Sequence, residues 1–168
     1  MALVPTPPGA PGISSLFAYR PETAAPMRAL AQALLRGPSP LTPAEREMIA
    51  TYVSSRNGCR FCTRSHAATA RKLGAPALED ASAKMKALFA IADHVRANVA
   101  PIPSALVESA KREGADDVTL HDAALIAAAF SMFNRYVDGL GADTPDEGDA
   151  SYEMGAERLT KQGYVPPV

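Results

Sequence analysis

Apolar residues recur along this chain at three- and four-residue spacings, with no convincing run of the period-two alternation that a half-buried strand requires. The pattern predicts an all-α fold. Residues 1–20 carry Pro5, Pro7, Pro8 and Pro11, which prevent regular helix. An extended N-terminal arm is therefore expected there, either disordered or wrapped around a neighbouring subunit. A first helix is predicted over 21–36, ended by Gly37-Pro38, with Pro26 weakening its opening turns. Thr42-Pro43-Ala44-Glu45 is a strong start signal: Thr42 can cap, Pro43 suits the first helical position and Glu45 completes a capping box. That helix should run to Asn57 and stop at Gly58, which can take the left-handed conformation.

A third helix covers about 60–73, with Gly74 as its stop. The stretch from 76 to about 100 reads as helical, broken near Ala81-Ser82, and 103–113 follows, ended by Gly114. Residues 119–140 are apolar nearly all round through their middle, which places that helix in the core. Residues 143–149 form an acidic loop, and the tail is expected to make one short helix before Val165-Pro166-Pro167. No internal repeat or low-complexity tract interrupts the chain.

Composition sharpens this picture. The 168 residues fit one domain, and a 47% apolar content is enough for a real core. Alanine is the commonest residue, tryptophan is absent and aromatics make up 6%, as packed helices allow and sheets do not favour. With 17 basic against 18 acidic residues the net charge is −1. That removes the broad basic field expected of a protein that binds nucleic acid or an anionic membrane. The longest apolar block, 123–130, is far short of the ~20 residues of a membrane span. The opening residues lack the charged start and apolar run of a secretory leader. The expectation is a soluble, cytoplasmic protein.

Cys59 and Cys62 are the only cysteines, spaced as C-x-x-C, and in such a compartment a close thiol pair is more often catalytic or metal-binding than structural. At about 100° per residue, Cys59, Cys62, His66, Thr69, Ala70 and Leu73 share one broad face of the third helix, with Arg60, Arg64 and Arg71 opposite. Cys62 and His66 are four apart, a spacing at which helical side chains meet. Both cysteines also sit at the helix start, where unpaired backbone N–H groups and the positive end of the macrodipole favour a thiolate. An imidazole one turn away can take up the thiol proton. The second sulfur can trap an oxidised first one as a disulfide before irreversible over-oxidation.

Glu47 is the candidate to orient His66. If the two helices fold back on each other at Gly58, Glu47 lies roughly 16 Å before the turn and His66 roughly 12 Å after it. The carboxylate can then reach the imidazole directly or through one water. Glu47 lies off the Ile49/Tyr52/Val53 stripe, on a side holding Thr51, Ser54 and Ser55, small residues that allow close helix packing. Zinc is the competing use of Cys59, Cys62 and His66, but a structural site normally wants four ligands. His94 and His121 have no cysteine nearby and read as exposed helix residues, so no metal and no cofactor is expected.

Taken together, Glu47, Asn57-Gly58-Cys59-x-x-Cys62 and His66 resemble the signature of the AhpD-like alkylhydroperoxidases of the carboxymuconolactone decarboxylase family. Phe133-Asn134-Arg135-Tyr136-Val137-Asp138-Gly139-Leu140-Gly141 is similar to the family's peroxidase-related subgroup. The resemblance spans about 20–142 and implies an AhpD-like helical bundle, one domain over 21–168, assembled into trimers or hexamers. It implies thiol-dependent reduction of a hydroperoxide substrate in antioxidant defence, with a dithiol reductant that the sequence does not identify. It makes Cys62 the attacking sulfur and Cys59 the resolving one, with His66 and Glu47 as a proton relay and a redox-active disulfide between the cysteines. One departure stands out: AhpD proper has a second histidine between the cysteines, and this chain has Phe61. Asn134, Arg135 and Asp138 read mainly as structural. Two other readings remain open, a non-enzymatic redox-responsive oligomer and a carboxymuconolactone decarboxylase-like enzyme. Turnover with a dithiol separates the sensor from the peroxidase.

Overall fold

Thr42 opens the helix around which the molecule is organised. Its hydroxyl accepts the Glu45 backbone N–H at 3.2 Å, and Glu45 Oε2 accepts the Thr42 backbone N–H at 2.8 Å, closing the expected capping box. The helix so started is α3, Pro43–Arg56. The computed structural model describes residues 2–97 and 100–165. In chain order the other helices are α1 Ile13–Tyr19, α2 Pro21–Arg36, α4 Arg60–Lys72, α5 Ala83–Ala97, α6 Ser104–Arg112, α7 Asp117–Gly139 and α8 Ala150–Gln162. A single 3-10 turn at Leu78–Asp80 sits where the break before α5 is expected. No strand occurs among the described residues. The end of the helix expected to reach about residue 100 crosses 98–99, and the terminal prolines 166–167 follow the last described residue; both lie outside the described residues.

Two helices, α3 and α7, are central. α3 packs against α2, α4, α5 and α7, and is buried on almost every side, including Arg46, Glu47, Thr51 and Ser54. The amphipathic stripe read from Ile49, Tyr52 and Val53 is only one of its buried faces. α7 supplies Ile126, Ala127, Phe130 and Phe133 to the main core, as its apolar middle predicts. It begins two residues before the predicted Thr119, because Asp116 caps it by accepting the Thr119 backbone N–H at 2.7 Å. Gly58, at φ +77, turns α3 into α4, so the two run back along each other.

Two segments depart from expectation. The arm predicted over 1–20 contains a helix at Ile13–Tyr19: the prolines end at Pro11, and nothing from Gly12 to Arg20 forbids helical backbone. Nor does the arm stand away from its own chain. The Leu3 N–H donates to the Leu140 carbonyl and the Gly12 N–H to the Asp143 carbonyl, at 2.9 and 2.8 Å. Gly12, at φ +52, lies so close to the Phe61 ring that a Cβ there would stand 2.2 Å from it. The tail helix, α8, is longer than a short terminal turn, with 13 residues laid along α4. Its Asp149 cap accepts the Ser151 N–H at 2.8 Å. These additions build a second, smaller core in which Leu16, Cys59, Phe61, Cys62, Val137, Tyr152 and Ala156 pack together. Both cysteines therefore sit between the arm, α4, the end of α7 and α8.

Candidate active site

Cys59 is the N-cap of α4 and Cys62 falls in its first turn. The sequence reading of the α4 face holds for Cys62, His66, Thr69 and Ala70, all buried, while Arg60 and Arg71 are exposed. The buried face is wider than one helix partner would make it. Phe61 and Ala68 are covered as well, where residues of the arm and of α8 pack with them in the smaller core.

Both sulfurs are free thiols, Cys59 fully buried and Cys62 5% exposed. They are not equivalent, although the helix start favours a thiolate at both. The Cys59 thiol is pushed far above the ordinary thiol range. The hydrogen bond it makes to Cys62 is the largest cause, followed by burial and by negative charge on Cys62; the Cys62 backbone N–H works the other way without prevailing. Within the pair, Cys59 keeps its proton.

Glu47 and His66 meet directly. The imidazole Nδ1 lies 2.7 Å from Glu47 Oε2, so the arithmetic of two helices folded at Gly58 resolves to direct contact, with no water between. Glu47 is 0% exposed, and its other oxygen, Oε1, is held by the Arg36 guanidinium at 2.6 Å and the Tyr164 hydroxyl at 2.7 Å. Burial on its own raises the Glu47 pKa. The His66 hydrogen bond and charge, the Arg36 charge and the Tyr164 hydrogen bond outweigh it and hold the carboxyl below the usual carboxylate range. As an ionised acceptor Glu47 can only receive, which makes Nδ1 of His66 the N–H donor and fixes the ring's tautomer. The ring packs edge-on against Phe130, with centroids 4.6 Å apart.

Arg36 and Tyr164 carry no signal in the sequence that ties them to the site. Arg36 reads only as the last residue of a helix. Tyr164 arrives from the tail: Gly163, at φ +72, reverses the chain after α8, and the Tyr164 backbone N–H donates to Gln32 Oε1 at 2.7 Å. Its ring then faces that of His66, with centroids 6.3 Å apart. Burial and the charge of Glu47 push the Tyr164 phenol well above its ordinary pKa, so it remains a proton donor. Asn57 and Asn134 support the turn from α3 into α4. Asn57 donates to Asn134 at 2.9 Å, and Asn134, 1% exposed, donates to Ser54 at 3.0 Å. Arg135 donates to the Ser131 carbonyl at 3.0 Å, and Asp138 is exposed. His94 is half-buried and has its Nε2 near the carbonyls of Ala100 and Pro101; His121 is exposed.

Cys62 and His66 both line a cavity of about 380 Å³ that Cys59 does not line. Phe17, Met27, Phe61, Phe130, Phe133 and Leu159 make its wall largely apolar. Among the described residues no group of three His, Cys, Asp or Glu side chains is arranged to hold a metal ion, and no helix is long and apolar enough to cross a membrane.

Residues 21–83, which include Glu47, Cys59, Cys62 and His66, match the model of the carboxymuconolactone decarboxylase family. The fold is similar to that of an uncharacterized peroxidase-related protein from Silicibacter sp. TM1040. The two are 26% identical with a TM-score of 0.74, over 85% of this chain and 78% of that one. It is also similar to an uncharacterized peroxidase-related protein, an alkylhydroperoxidase AhpD core, from Ralstonia eutropha JMP134. That match has 25% identity and a TM-score of 0.72, over 94% of this chain and 83% of that one. No curated protein matches the chain.

Proposed function

We propose that this chain, whose residues 21–83 match the model of the carboxymuconolactone decarboxylase family and whose helical fold is AhpD-like, is a thiol-dependent peroxidase that reduces organic hydroperoxides through Cys62 and Cys59. The observation that carries the proposal is the pairing of an unequal dithiol with a buried, carboxylate-held imidazole on the same helix face. Cys62 is the attacking sulfur in this reading because it lines the cavity, whereas Cys59 lies behind it and holds a proton.

The chemistry then runs as two balanced steps. His66, whose Nδ1 is engaged by Glu47, takes the Cys62 thiol proton on Nε2. The thiolate attacks the terminal peroxide oxygen, the O–O bond breaks, and sulfur keeps the hydroxyl as a sulfenic acid. The departing alkoxide recovers the proton from the imidazolium and leaves as the alcohol. Glu47 stabilises that imidazolium through its fixed hydrogen bond, and Arg36 and Tyr164 keep the carboxylate in place. In the second step the Cys59 sulfur displaces hydroxide from the sulfenic acid, its own proton completes a water molecule, and a disulfide forms. A dithiol donor reduces that disulfide by exchange and is itself oxidised. Phe61, standing where AhpD proper has a second histidine, packs against Gly12 and Tyr152 and takes no part in proton transfer. Assembly into a trimer or hexamer and a cytoplasmic setting belong to the same proposal.

The test is oxidation of the reduced protein by cumene hydroperoxide, first alone and then with excess dithiol. The expected outcome is loss of both thiols per peroxide far faster than a free small thiol reacts, followed by repeated turnover. A rate no greater than that of a free thiol removes the enzyme. Oxidation that occurs once and is not renewed by dithiol points to a redox-responsive protein instead.

A further inference from the structure

The cavity beside Cys62 has an unusual balance of charge. Among the described residues, the only cationic groups lining it besides His66 are Arg28, on α2, and Arg158, on α8, and no Asp or Glu lines it. Arg36, which reaches the site at Glu47, does not line the cavity and is paired with that carboxylate. Arg28 and Arg158 have no carboxylate partner among the described residues. Arg28 is half-buried, its guanidinium stacked over the Phe17 ring at 4.7 Å, and Arg158 is exposed. Burial, and then the charge of Arg158, hold the Arg28 pKa below its ordinary value, as two like charges facing one space require. An anion between them relieves that repulsion. The rest of the wall is apolar and leads to the Cys62 sulfur and His66. A ligand that satisfies both ends must be amphipathic.

We propose that Arg28 and Arg158 form a carboxylate subsite, and that the substrate is a hydroperoxide of an aliphatic monocarboxylic acid, its anionic head on the two arginines, its chain along the apolar wall and its O–O bond at Cys62. This rests on the peroxidase reading for the reacting end alone; the carboxylate subsite stands independently of it. A volume of about 380 Å³ falls within the range of pre-formed small-molecule sites, roughly 300–1,000 Å³. The carboxylate is unaltered by the reaction, which turns the hydroperoxide into the corresponding hydroxy acid and Cys62 into its sulfenic acid. Guanidinium groups suit this recognition because their planar fork matches a carboxylate and stays charged.

Titration calorimetry of octanoate and of 1-octanol into the reduced full-length chain tests the subsite without any catalysis. Octanoate is expected to bind about tenfold more tightly than the alcohol at low salt, as charge-assisted hydrogen bonds imply, and the preference should shrink as salt is added. Arg28→Gln combined with Arg158→Gln should abolish the preference. Arg158→Gln alone, at an exposed position, should reduce it even if the double variant does not fold. Equal binding of acid and alcohol, or no binding of octanoate, overturns the subsite. In a second arm, a fatty-acid hydroperoxide should oxidise Cys62 about tenfold faster than its methyl ester at low concentration. If neither oxidises Cys62 while octanoate still binds in an arginine-dependent way, the peroxidase reading fails and the subsite survives. If both oxidise it equally fast, the subsite fails and the peroxidase survives.

Discussion

Cys62→Ser should reduce peroxide consumption to the level of the buffer, whereas Cys59→Ser should leave one fast oxidation and no turnover. Serine nearly preserves volume in both cases, so the contrast reports chemistry rather than packing. Without the Cys62 sulfur no thiolate faces the cavity, and Cys59, fully buried and not among the cavity's lining residues, cannot take its place. In Cys59→Ser the attack on peroxide remains, but nothing condenses with the sulfenic acid. That species should be trapped by dimedone at Cys62 and, with more peroxide, advance to sulfinic acid. Mass spectrometry of the peptide containing residue 62 reads both outcomes. Equal oxidation of the two variants would mean that the sulfurs are interchangeable, and the assignment of roles would fall.

Glu47→Gln should cost both stability and rate. The carboxylate is 0% exposed and receives three donors, from Arg36, His66 and Tyr164. The amide keeps the shape but removes the charge, leaving the Arg36 guanidinium, whose side chain is 12% exposed, without its counter-ion. Removing one partner of a buried pair costs about 3–5 kcal/mol, and urea unfolding at neutral pH should show a loss of that order. The pH dependence follows from the direction of the Glu47 shift. A carboxyl held below its ordinary pKa in the fold stabilises above its unfolded value, about 4.3, and loses that contribution as pH falls through the folded value. The gap between wild type and variant should therefore stay constant from neutrality down to mildly acid pH and close only below it. Oxidation of Cys62 should slow about 100-fold, the lower range for a proton-transfer contribution. Should Glu47→Gln fail to fold, Tyr164→Phe removes one donor from the carboxylate and should slow oxidation by a smaller factor. Full rate in both variants would remove the relay.

Local signals in the sequence carry much of this architecture. The Thr42–Glu45 capping box, the Gly58 turn and the helical phase of Cys62 and His66 are properties of short segments, and each is read directly. The Glu47–His66 contact is within reach because one tight turn joins two regular helices, so rise per residue translates sequence distance into space. What escapes is contact made by closing the chain over long separations. Tyr164 reaches His66 across 98 positions, through a turn at Gly163 and a hydrogen bond to Gln32 that have no periodic trace. Arg36 is legible as a helix end, but its salt bridge depends on how α2 lies across α3. α8 reads as a short tail because it buries only Tyr152 and Ala156; the Asp149 cap was the signal available for its start. The inequality of the cysteines also escapes. Both occupy the helix start, and only burial and their mutual hydrogen bond decide which one keeps the proton.

The most direct measurement is site-resolved alkylation of the reduced protein, following Cys59 and Cys62 separately as pH is raised through the ordinary thiol range, about 8.5. Cys62 should be modified at pH values where Cys59 stays untouched, with Cys59 reacting only after Cys62 has been blocked or at much higher pH. Modification of both sulfurs together, or of Cys59 first, would contradict the account.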